Sequence, residues 1–139
     1  MSRGLFAALV VGLMLWLLPV AAWAGSFLDR AALLLDSSAA ERDMVRPRVQ
    51  DKELVELVHE IASARSAAAR RMQVPKEVAA AHPHLLLVLE NTERAFAAAL
   101  DRNFERFAEH LQRAREEDST FRSLIGSLGY TLPSTAHRR

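Results

Sequence analysis

Residues 51–72, DKELVELVHEIASARSAAARRM, carry Leu54, Leu57, Val58, Ile61, Ala64, Ala68 and Met72 at separations of three and four. That recurrence draws one apolar stripe along an α-helix, whereas a half-buried strand would alternate with a period of two. Asp51 is suited to cap the helix N-terminus, and Val74-Pro75 ends it because the residue before proline is pushed out of the helical basin. The stripe is therefore read as the face this helix turns to a core.

The same grammar extends in both directions. After residues 76–82, which suit a short helical turn, Pro83 fits the first position of a third helix. Leu86, Leu89, Phe96 and Leu100 form its stripe, widened by Leu85 and Val88. Asp101-Arg102-Asn103 predicts a tight hairpin with Asn103 as the next N-cap. The fourth helix then carries Phe104, Phe107, Ala108, Leu111, Ala114, Phe121, Leu124, Ile125 and Leu128 inward. Gly129, followed by Tyr130 and Pro133, has the form of a helix stop. Upstream, a first helix from about Ser26 presents Leu28, Ala31, Ala32 and Leu35. Ser38 and Glu41 have capping-box spacing, which predicts a break at Ser37-Ser38, and Arg46-Pro47 closes the segment.

No glycine lies between Gly25 and Gly126, and β-branched residues are few. The expected fold is all-α: a small up-down antiparallel helical bundle of three long helices plus a shorter N-terminal helix, spanning residues 25–130, with 131–139 as a flexible tail. Leu57, Val58, Glu60 and Ala67-Ala68-Ala69 recur thirty positions later as Leu87, Val88, Glu90 and Ala97-Ala98-Ala99. These alanine-rich seams permit close helix approach, within the chain or between copies in a homo-oligomer.

Residues 1–24 read as a cleaved signal peptide. Arg3 is the charged start, Leu5 to Leu18 the apolar middle, and Ala22-Trp23-Ala24 the small-x-small site before Gly25. An uncleaved membrane anchor is the alternative, since the apolar run approaches the roughly 20 residues that span a bilayer. Small residues at 22 and 24 serve the peptidase rather than an anchor, so the expected location is periplasmic or secreted. Both tryptophans, Trp16 and Trp23, lie upstream of the cut.

The 18 basic residues less Arg3 leave 17, against 17 acidic ones. A balanced mature chain has no net field to hold nucleic acid or an anionic membrane. With no cysteine, nothing but packing holds it together in an oxidising compartment.

Chemistry-bearing residues are sparse. His82-Pro83-His84 has metal-like local spacing, with a capping His82 and an exposed His84 as the plainer reading. Folding the chain about its turns places His59 and His110 at one mid-bundle level with Glu93 a turn away, a His-Glu-His set suited to a transition metal. The same folding puts His84 some 16–20 Å from His110 along the axis, at ~1.5 Å per residue. Glu93 falls where its stripe calls for an apolar residue, so an ion pair with Arg65 or Arg115 is the favoured reading of it. Glu116-Glu117-Asp118 reads as a solvated face paired with Arg113 and Arg122. No serine or cysteine has a base and an acid at defensible spacing, and no catalytic residue is assigned. The expected role is a non-catalytic protein- or peptide-binding adaptor, and the alternative is a metal- or small-ligand-binding bundle.

Overall fold

The computed structural model describes the backbone of residues 3–134 and the side chains of residues 23–134. Four helices follow one another: α1 (Arg3–Val45), α2 (Lys52–Arg70), α3 (His82–Leu100) and α4 (Phe104–Ser127), with 3-10 turns at Arg46–Arg48 and Lys76–Val78. No strand occurs among the described residues, and the fold is the antiparallel all-α bundle that the stripes imply. α3 is the hub, packing against the other three helices.

Local chemistry sets most of the boundaries as expected. Asp51 accepts a hydrogen bond from the Leu54 amide at 3.1 Å, and Asn103 does the same for Arg106 at 3.1 Å. The hairpin before α4 turns through Arg102 at φ 57°. Gly129, at φ 85°, closes α4: its amide bonds Gly126 O at 3.0 Å and the Tyr130 amide bonds Ile125 O at 3.1 Å. This is the doubly bonded glycine stop, and Tyr130 then packs on the upper core. The thirty-residue echo coincides with the helix frames, since α2 and α3 each span 19 residues and begin thirty positions apart.

α1 departs from the expected pattern. It does not begin near Ser26 but is already helical there, and it does not break at Ser37-Ser38. The supposed capping box is used for tertiary contacts instead. Ser38 bonds Thr92 of α3, and Glu41 takes the guanidinium of Arg65 on α2. The leader expected at residues 1–24 lies, apart from Trp23 and Ala24, outside the described side chains, and 135–139 of the expected tail lie outside the described residues. Among the described residues no helix is long and apolar enough to cross a membrane.

The core has two storeys. An upper cluster gathers Phe27, Leu35, Leu85, Leu89, Phe121 and Ile125, and a lower one Val45, Val55, Val58, Phe96, Phe107 and Leu111. Between them each helix puts polar residues on its own core-facing stripe. The buried groups there are Ser38 and Arg42 of α1, Ser66 of α2, and Asn91 and Thr92 of α3.

Candidate functional site

The α1–α2 seam is fixed by one strong contact. Arg65 Nη1 and Nη2 donate to Glu41 Oε2 and Oε1, each at 2.7 Å, a planar fork on a carboxylate with both partners largely shielded. Glu41 therefore holds the arginine that the sequence offered to Glu93, and Glu93 is half-buried with no ion pair among the described residues.

Rotating outward from this seam exposes the largest discrepancy with the sequence. α2 buries Val55, Val58, Ala62, Ser66 and Ala69, whereas Leu57 is 56% exposed, Ile61 40% exposed, and Ala64 and Ala68 lie open to solvent. The stripe expected to face the core is thus offset by one residue, about 100° of helix rotation, from the stripe that does. α1 repeats the situation: Leu28, Ala31, Leu35, Ser38 and Val45 are buried, while Leu33 is 61% exposed, Met44 40% exposed, and Ala40 open.

Both exposed stripes lie on the outer side of the pair that joins the helices. On α1 the sense of rotation runs from Ser38 through Glu41 to Met44 and Leu33. On α2 it runs from Val58 through Arg65 to Ile61, Leu57 and Ala68. The antiparallel register of Glu41 with Arg65 sets Met44 close to the level of Ile61. Together they bound a shallow furrow with small residues, Ala40, Ala64 and Ala68, at mid-length and bulky ones below. Near the upper end of the seam, a separate cavity of about 390 Å³ lies between Trp23, Ser26 and Arg30 of α1 and Arg71, Met72 and Gln73, with Trp23 inside the leader expected to be removed.

Behind the furrow lies the polar storey. Arg42 is 3% exposed; its Nη1 donates to Ser38 Oγ at 3.0 Å and to Thr92 Oγ1 at 2.9 Å, and Thr92 Oγ1 donates to Val88 O at 2.9 Å. Burial pulls the guanidinium below its ordinary value, and Asp118, with Oδ2 4.0 Å from Nη2, is the main counter-charge. Asp118 is in turn gripped by Arg122 Nε at 2.6 Å, and Arg122 Nη2 reaches Asp36 at 3.0 Å. Asp118 is therefore no solvated bystander of its acidic run, although its spacing-of-four pair with Arg122 forms as expected. The belt was readable in principle: Ser38 and Arg42 continue the 28-31-35 register to Val45, and Asp118 falls between Ala114 and Phe121 in that of α4.

The histidines separate. Among the described residues no group of three or more His, Asp or Glu comes together to hold a metal ion, so His59, Glu93 and His110 do not form the expected set. Register explains this. The pairs His84–Glu117 and Asn91–His110 put His110 level with Asn91, a turn above the level expected. The Arg70–Glu90 pair puts His59 near the level of Asp101, ~15 Å lower at ~1.5 Å per residue. His82 and His84 do not share a face either, because neighbours two apart on a helix point about 200° from one another. His84 Nδ1 lies 2.6 Å from Glu117 Oε2 of α4, while His82 sets its ring edgewise to Phe27 of α1 at 5.8 Å.

His82 Nδ1 is buried without a hydrogen-bond partner among the described residues, and desolvation lowers its pKa. Because the fold prefers the neutral ring, the unfolded chain binds more protons, so the stability this preference maintains is complete above about pH 6.5 and is lost as pH falls below it. Melting curves between pH 8 and pH 5 should show a shallower acid-side decline for His82→Ala than for the parent. Equal slopes would detach His82 from the acid response.

No family model, curated protein or solved structure matches this chain.

Proposed function

We propose that this chain is an exported, non-catalytic binding module that holds an amphipathic helix of a partner protein in the α1–α2 furrow. The observation that supports the reading is the exposed Leu33, Met44, Leu57 and Ile61 at helical spacing beside one seam. Single exposed leucines are ordinary, but aligned ones flanking small residues suit a helix laid in a groove, read through anchors spaced three and four apart. Burying the remaining exposed half of Leu57 and of Ile61 would contribute about 0.7–1.5 kcal/mol each, up to about one power of ten in affinity per side chain. The leader-like first 24 residues support the export part of the reading.

A photo-crosslinking residue at Leu57, in cells that make the protein, should give a discrete adduct with another envelope or secreted protein. The same probe at Glu105, on α4, should not. Leu57→Asp with Ile61→Asp should abolish capture of that protein while costing only about 1 kcal/mol of stability per site, so that the variant still folds. Equal adducts at both probe positions, or adducts only between copies of this chain, would remove the heterologous-partner reading.

A further inference from the structure

A second concavity lies on a different flank, where the C-terminal half of α3 meets the start of α4. It encloses about 280 Å³ between Arg94, Ala97 and Ala98 of α3, Asp101 in the turn, and Arg106 and His110 of α4. Two arginines thus line one small cavity from two helices. Arg94 has a single carboxylate, Glu90, at 3.8 Å on a side chain that is mostly solvent-exposed, and Arg106 has no ion pair among the described residues. Neither charge is used up by the fold.

His110 is held in a defined state. Asn91, 5% exposed, donates Nδ2 to Leu87 O at 2.9 Å, which turns its Oδ1 toward His110 Nδ1 at 3.0 Å. The opposite amide orientation would set two oxygens against each other at Leu87, so Nδ1 carries the proton that meets Asn91 Oδ1. The neutral ring is left with a bare lone pair on Nε2. A lone pair repels an oxyanion, and a proton there turns the same atom into a third donor.

We propose that this pocket binds a small oxyanion, a phosphate or carboxylate group, between Arg94 and Arg106, and that binding takes up one proton onto His110 Nε2. Arginine forks suit such groups because two parallel donors match two oxygens. The Ala97 and Ala98 methyls leave room for a short apolar body behind the anionic head. Charge around His110 fits the coupling. Burial and the nearby Arg113, Arg94 and Arg106 hold its pKa below the ordinary histidine value, against Glu109. A docked anion cancels the arginine field, and the proton follows. Asp101 at the rim opposes the anion and so limits its affinity.

Sulfate is the first probe, because it stays doubly charged throughout the histidine range and any pH dependence must come from the protein. Calorimetric titration of the full chain at constant ionic strength should show saturable binding at least fivefold tighter at pH 6 than at pH 8. Buffers of different ionisation enthalpy should report proton uptake near pH 7. Arg106→Gln should weaken binding at least tenfold, His110→Gln should flatten the pH dependence, and Asp101→Asn should tighten binding. Arg48→Gln, distant from the pocket, should change nothing, and melting curves confirm that each variant folds. Parallel titrations with phosphate and butyrate tell a phosphate site from a carboxylate site by which binds tighter. Absence of saturable binding by any of the three anions, unchanged affinity in Arg106→Gln, or pH dependence surviving in His110→Gln overturns the proposal.

Discussion

Phe121→Ala and Phe96→Ala should each lower unfolding free energy by about 3–5 kcal/mol, the range for truncating a fully enclosed phenylalanine. Both rings are 0% exposed, the first in the upper storey and the second in the lower. Domains of this size hold only about 5–15 kcal/mol in total, so either change uses up a large part of the margin. The melting midpoint should fall by on the order of 10–20 °C. The two variants also test whether the storeys are independent. α3 contributes Leu85, Val88 and Leu89 above and Ala95, Phe96 and Ala99 below, so a cavity in one storey loosens a helix that serves both. One cooperative transition, displaced similarly by both substitutions in circular dichroism and calorimetry, is the expected result. Two separated transitions, or a loss below about 1 kcal/mol, would mean that the polar belt divides the bundle into units that unfold separately.

The fold was legible because turn and cap chemistry is local. Asp51, Asn103 and Gly129 act within four residues of themselves, and each does in the structure what its residue type dictates, while Pro83 stands second in α3, after His82 and the N-cap Ala81, one place later than expected. Facing was less legible, for a reason visible in α2. Its apolar arc is wider than its core contact, so Leu57-Ile61-Ala64-Ala68 and Val58-Ala62-Ala69 both satisfy helical periodicity. Only the partners decide which set is enclosed. Ser38 and Glu41 failed as a capping box for the converse reason: a motif that works locally was claimed by Thr92 and Arg65, residues far along the chain. The exposed set is also where the proposed function resides. A stripe that is apolar beyond what its own core consumes is the place where sequence periodicity and burial part company, and the proposed binding surface would account for the surplus.

Register decides which residues the histidines meet. A shift of four to six residues between α3 and α4 moved His110 from the level of Ala95 to Ala97 to that of Asn91, and a proposed metal ligand became a hydrogen-bonded neighbour of three arginines. The expected cation site and the proposed anion site at one residue differ here by roughly 6–9 Å of helix rise.

Asp118→Ala and Arg42→Met should have unequal costs although they remove the two ends of one interaction. Deleting Asp118 leaves Arg42 charged, 96% shielded on its side chain, with two hydroxyl oxygens as neutral hydrogen-bond partners and only the exposed Asp43 as a nearby carboxylate. Stranding a buried charge in this way costs about 3–5 kcal/mol, and the 15% exposure of Asp118, which lets water reach the gap, puts this case at about 2–4. Arg42→Met removes the charge along with its need for a partner and keeps most of the unbranched volume. Ser38 Oγ and Thr92 Oγ1 still bond each other at 3.1 Å, Thr92 still donates to Val88 O, and Asp118 keeps Arg122. That substitution should cost less than about 1.5 kcal/mol, as volume-conserving exchanges do, and it can be stabilising. The double variant should recover most of what Asp118→Ala loses, since the stranded cation is then gone. Denaturant midpoints for the parent, the two single variants and the double variant give the coupling directly. If Arg42→Met were instead the costlier single change, the guanidinium would have to be a keystone whose hydrogen bonds outweigh its desolvation, and the belt would be a source of stability rather than a device that fixes how four interchangeable apolar stripes find their register.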